Sequence, residues 1–245
     1  MYDPTKFTLR NMTECGAELR KLGCGATSME EVSNRIVHYL YTKFIDRQTG
    51  KPAFALVRFF KTHAYGQLEP KLQEVVHQTL GHSPEAQVKC LTLLATTGEH
   101  PNWQSRHHSA KHQAIPLLSE RLVDQSPMIS QLIKQFGLAI DTVLLPDAHL
   151  DAHLMVDLEQ KTFNVFHVPV AIGSPYVPAQ QDFVIPYGIQ SVLGYGGMLP
   201  SGHLMAVILF SKLTISRDTA DMFKTLALNT KMAVLPFDSR IIFSE

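Results

Sequence analysis

At 245 residues the chain is long enough to bury a sizeable core, as one large domain or two small ones. A hydrophobic fraction of 45% against 18% charged residues describes a globular protein, and 22 basic residues balance 22 acidic ones, so no excess positive charge advertises nucleic acid or an anionic membrane surface. No apolar run approaches the roughly 20 residues that a membrane-spanning helix needs, residues 1–10 lack the apolar core of a signal peptide, and Cys15, Cys24 and Cys90, an odd number without paired spacing, suit reduced thiols in a cytoplasmic setting.

In chain order, residues 1–14 are mostly polar and read as a flexible amino-terminal arm, and a short helix is expected over 15–22, stopped by Gly23 and Gly25. Ser28 and Glu31 have capping-box spacing. Behind them Val32, Ile36, Leu40 and Phe44 recur at four-residue steps, which predicts a core-facing helix. After a turn-rich break, residues 53–60 are nearly all apolar apart from Arg58, the pattern of a buried strand. A short helix is expected within 68–80, a second strand over 88–95, a polar stretch from Gly98 to Gln113, and a short apolar run over 114–118. Ser126-Pro127 opens a helix striped by Ile129, Leu132, Ile133 and Phe136 and stopped by Gly137. A strand over 163–168 and a proline-rich loop over 173–186 lead to two apolar runs, 189–199 and 204–210. Pro200-Ser201-Gly202 separates them, so the two should pair as a hairpin. The last helix spans 217–235: Ser216 is its N-cap, Ala220, Phe223, Leu226, Ala227, Thr230, Ala233 and Val234 share one side, and Pro236 ends it. The sum is an α+β (α/β) module, an antiparallel sheet flanked by helices from both ends of the chain.

Gly188-Ile189-Gln190-Ser191-Val192-Leu193, the turn at Pro200-Ser201-Gly202, the aliphatic strand 204–210 and the helix entered through 215–221 together resemble the carboxyl half of a GAF domain, the small-molecule-sensing module of bacterial signalling proteins. Helix, turn and strand over about 19–60 are similar to its amino half. The resemblance implies a single GAF-like domain over 15–237, with 61–162 as an enlarged middle segment and 238–245 as a tail. It further implies a cytoplasmic, non-catalytic sensor whose ligand pocket lies between one sheet face and the connecting segments. Such modules dimerise through terminal helices and stand at the amino end of histidine kinases, nucleotide cyclases or diguanylate cyclases, as in two-component systems. The chain stops at Glu245 without such an output module, which implies either an excised sensor or a protein acting in trans.

Candidate pocket residues are Arg58, Phe60, His112, Phe166, His167, Tyr176, Tyr187 and Tyr195. Arg58 is the most informative, because a guanidinium inside an apolar strand needs a partner, either an internal carboxylate or an anionic ligand. Two histidine clusters leave a haem- or metal-binding sensor open as an alternative: His100, His107, His108 and His112, and then His149 and His153 beside Asp147 and Asp151. Their bland reading is solvated loops, since neither has the spacing of a zinc signature. A small metal-dependent enzyme is the third reading. Against catalysis, the chain has no G-x-S-x-G elbow, P-loop or G-x-G-x-x-G; Gly194-Tyr195-Gly196-Gly197 lies in a strand, where its glycines admit a bulge or a close approach by ligand. Relative to the family, the cysteine spacing of its methionine sulfoxide reductases, the Cys-His pair of bilin binders and the cyclic-nucleotide signature are all missing.

Overall fold

A computed structural model describes residues 1–109, 111–145 and 163–244. Among them the helices are α1 (Leu9–Lys21), α2 (Met29–Lys43), α3 (Pro70–Leu80), α4 (Glu120–Asp124), α5 (Pro127–Gln135), α6 (Ile140–Leu144) and α7 (Arg217–Val234). The strands are β1 (Phe54–Ala64), β2 (Lys89–Gly98), β3 (Ala114–Pro116), β4 (Asn164–Val168), β5 (Ser191–Met198) and β6 (Leu204–Ser211). They form one antiparallel sheet in the order β3-β2-β1-β6-β5-β4. The strands from the two ends of the chain, β1 and β6, are therefore neighbours at its centre.

Side chains alternate across a strand, so the sheet has two faces. The first presents Phe54, Val57, Phe59, Leu193, Tyr195, Met205, Val207 and Leu209 to α1, α2 and α7. The second presents Leu56, Phe60, Leu93, Phe166, Val192, Ile208 and Phe210 to α4, α5, α6 and the segment before β5. A bulge where Phe59 and Phe60 face Ala95 and Leu93 makes Leu94 the extra residue of β2. The roof helices contribute Val123, Leu132, Ile133, Phe136, Ile140 and Val143, all buried on the second face.

The sequence predicts the helical stripes well. Ser216 caps α7 by accepting from Thr219 N at 3.2 Å, and Ser28 caps α2 by accepting from Glu31 N at 3.1 Å. The Glu31 carboxylate, however, turns outward to Thr27 N and Oγ1 at 2.8 and 2.9 Å instead of closing a box on Ser28. The expected arm over 1–14 is corrected: α1 begins at Leu9 behind a Thr8 cap, and Tyr2 and Phe7 are buried. Both rings join Phe44, Phe54, Phe223 and Tyr195 in a cluster with centroids 5.3 to 5.9 Å apart. Each such pair contributes about 0.5 to 1.5 kcal/mol beyond its area, enough to order a polar segment carrying two aromatics.

The tail is also docked. Ile241 and Ile242 carbonyls accept from Met29 N and Glu30 N at 3.0 and 2.8 Å, satisfying free donors at the start of α2. Helices α1 and α7 pack closely, with Gly16 against the Asn229 side chain and Gly23 against Ala233 O. Arg20 donates to Asn229 Oδ1 from Nε and Nη2 at 3.1 and 2.8 Å.

Gly194 and Gly196 admit neither a bulge nor a ligand: β5 and β6 run in unbroken register, and the close approach is β6 itself. A Cβ at Gly196 would lie 2.0 Å from Met205 O, which is backbone, whereas at Gly194 it would lie 2.8 Å from Ile208 Cδ1, a side-chain tip that can rotate. Urea denaturation should accordingly show Gly196→Ala losing about 3 kcal/mol and Gly194→Ala about 1 kcal/mol. The reverse ranking would contradict this account of β5.

Candidate functional site

The eight residues predicted to line a pocket divide among three places. Arg58, Phe60 and Phe166 lie on the second face, where Tyr187 packs at a tilt against Trp103 with centroids 4.6 Å apart and His112 reaches Arg58 from the loop before β3. His167 faces the other way on β4 and donates from Nε2 to Ile215 O at 3.0 Å. With Gln135 and Tyr176 it lines an open depression of about 340 Å³ at the β4 edge. Tyr195 is fully buried in the first-face core, its hydroxyl 3.3 Å from Thr230 Oγ1. It cannot share a pocket with Arg58, because the sheet lies between them. Register decides this: Tyr195 pairs with Val165 and Val207, both on the helix-covered face.

Arg58 sits at the middle of β1, opposite Thr96 on β2 and Ile208 on β6, so these three share the second face. Its side chain is nine-tenths buried, and burial lowers its pKa to about 10. Nη2 donates to Ser109 Oγ at 3.3 Å and Nη1 reaches His112 Nδ1 at 3.4 Å, both long for a charged donor. Because a guanidinium only donates, His112 must accept through an unprotonated Nδ1. Burial, then Arg58 and Lys111, push the His112 pKa below its usual range. The Arg58 Nε and the Thr96 Oγ1 have no hydrogen-bond partner. Among the described residues no carboxylate pairs with Arg58. His112 itself holds φ at +65°, a left-handed conformation uncommon outside glycine.

A second buried guanidinium shows what a satisfied one looks like here. Arg106 grips Glu30 at 2.6 and 2.8 Å through Nε and Nη2 and Glu69 at 3.0 and 3.2 Å through Nη1 and Nη2, and it lies over the Phe243 ring. This pins the loop before β3 to the start of α2. At the end of the sheet, buried Lys61 lies 3.6 Å from Asp238, and Lys89 lies 3.3 Å from His203 Nδ1. Burial, then Lys61 and Lys89, push the His203 pKa down to about 2. Burial foremost, with Lys61 and His203, holds the neighbouring His63 well below its ordinary value.

The first histidine cluster does not converge. His100 stacks on Trp103, His107 lies 3.7 Å from Glu30, His108 is exposed and His112 contacts Arg58. Among the described residues no three His, Cys, Asp or Glu side chains gather as a metal would require. His149 and His153, with Asp147 and Asp151, lie outside the described residues. Cys15 and Cys90 are packed thiols whose burial raises their pKa to about 12, whereas Cys24 is exposed. Sequence reasoning missed Thr96, Ser109, Glu30 and Arg106; Thr96 is one of three threonines in β2, beside Thr92 and Thr97, so nothing local singles it out. No family model matches the chain, and no curated protein matches it in sequence.

Glu30→Ala should cost about 3 kcal/mol in urea denaturation, because it strips a buried cation of its nearer carboxylate. It should also speed amide exchange around Arg106; an unchanged stability would contradict the pinning. Acidification should destabilise the fold. His63, His112, His167 and His203 all have folded pKa values below the ordinary value near 6.5, so the unfolded chain binds protons first as the pH falls. For His203 the loss runs from about 6.5 down to about 2. Each histidine removes up to about 1.4 kcal/mol per pH unit. Unfolding free energies at neutral and mildly acid pH should fall accordingly, and His203→Asn should flatten the slope.

Proposed function

We propose that this chain is a GAF-like regulatory module that binds a small ligand on the second face of its sheet and has no catalysis of its own. The observation that carries the reading is the division of labour between the faces. Helices from the two ends of the chain, α1 and α7, pack on each other over the first face, whereas the middle segment roofs the second. β1 joins the layers, because its alternate residues touch both. A ligand that reorders the roof over β1 thus has a short physical route to the terminal helices.

The same helix pair supplies the output. Leu228 and Met232, four residues apart on α7, are about half exposed, as is fitting for a face that meets a second copy. A homodimer built on α7, acting on a kinase or cyclase module in cis or in trans, follows from the family resemblance. A cytoplasmic location suits the unpaired cysteines. No helix among the described residues is long and apolar enough to cross a membrane.

Native mass spectrometry of protein purified from its own host reports bound molecule and subunit count together. The reading expects a dimer carrying a small-molecule adduct, with amide exchange in α1 and α7 slowed relative to stripped protein. A bare monomer whose exchange is insensitive to added host metabolites would defeat it.

A further inference from the structure

The second face holds a charge that no described carboxylate neutralises. Arg58 is buried, and no carboxylate among the described residues reaches it. Directly across the β1–β2 pairing, Thr96 offers a hydroxyl that also has no partner, on the same side of the sheet as the partnerless Nε of Arg58. Two buried donors side by side call for one acceptor group with two oxygens. Water can fill a hydrogen bond but leaves the charge uncompensated, and a guanidinium does not lose its proton to escape the penalty. The nearest groups from the covering loop are the neutral Ser109 and His112 and, at the surface, the cationic Lys111, so none of them offsets the charge.

We infer that Arg58, Thr96, Ser109 and His112 form a binding site for a small organic carboxylate with a short apolar body. This rests on the ligand-binding reading above and assigns its ligand class. The carboxylate accepts from Arg58 Nε through one oxygen and from Thr96 Oγ1 through the other, a charge-assisted bond whose direction the rigid guanidinium plane fixes. The apolar body lies among Leu56, Phe60 and Ile208, the same-face neighbours along β1 and across to β6. Access is from the surface beside the exposed Lys111, past Ser109 and His112, whose contacts with Arg58 are long and whose His112 backbone is strained. Ligand entry leaves those two contacts in place and adds a charge-balanced one at Nε. Among the described residues the site has no internal carboxylate like that of Glu30 on Arg106.

The test follows melting temperature in Tris-chloride buffer free of organic acids. The probes are acetate, isobutyrate, isovalerate and benzoate, together with isovaleramide and inorganic phosphate. At least one carboxylate should raise the midpoint by about 5 to 10 °C at a hundredfold excess over its Kd, and the amide and phosphate should not. Arg58→Met should abolish the response and leave the ligand-free protein at least as stable as the parent. Should that variant fail to fold, Arg58→Lys, which keeps the charge and loses the fork, should remove most of the response, and Thr96→Val should weaken binding about tenfold. A wild-type protein that no carboxylate shifts, a shift that survives in Arg58→Met, or an equal shift from isovaleramide or phosphate would overturn the assignment. The two levels fail separately. A bound neutral molecule in native mass spectrometry with a silent carboxylate panel removes this ligand class and leaves the sensory reading standing. Arg58-dependent binding without change in α1 and α7 exchange keeps the carboxylate site and removes the sensory reading.

Discussion

The constraint on which the account turns is the placement of a permanent cation on the central strand of a sheet packed on both sides. An isolated charge moved from water into protein costs several kcal/mol, and natural interiors meet that cost with a paired and hydrogen-bonded partner. Arg106 obeys the rule with two carboxylates. Arg58, on the central strand, has a hydroxyl and an imidazole at long range. The contrast within one molecule makes the neglect of Arg58 informative: the same loop that closes over it also carries the well-satisfied Arg106.

Everything else in the fold serves to keep β1 where it is. Its first face is locked by an aromatic cluster drawn from the chain's start, from the end of α2 and from α7, which makes the amino-terminal segment structural. Its second face is packed by the roof helices. The loop before β3 is tied to α2 through Glu30 and, by way of Ser244 N on the same carboxylate at 3.0 Å, to the tail. The carboxyl end thus meets the contacts that hold the loop before β3, so that loop, the start of α2 and the terminal segment are physically connected.

Much of the architecture was legible in the sequence, because periodicity reports which residues face a core. The stripes of α2, α5 and α7 and the hairpin of β5 and β6 needed nothing else. The amino-terminal arm was misread because Tyr2 and Phe7 stand singly among polar residues, and only their distant partners, Phe44 and Phe223, explain them. β1 runs farther than expected because Lys61, Thr62 and His63 look like the end of a strand, yet they are buried with Asp238 and His203 as company. Glycines in β5 suggested a ligand and instead make room for β6. Arg58 and Phe60, two residues apart on β1, lie on one face. Tyr195 was misplaced, since the face of a strand relative to another strand depends on register, which no local pattern carries. Arg58 was visible as an anomaly, but that no described carboxylate pairs with it depends on the positions of the acidic residues around it.

Electron density at Arg58 in a high-resolution crystal structure of protein taken from its own host is the most direct test. The account expects a planar, three-atom feature belonging to a separate molecule, within hydrogen-bond distance of both the Arg58 Nε and the Thr96 Oγ1. A side-chain carboxylate of the chain itself resting on Arg58 would contradict it, as would ordered water alone.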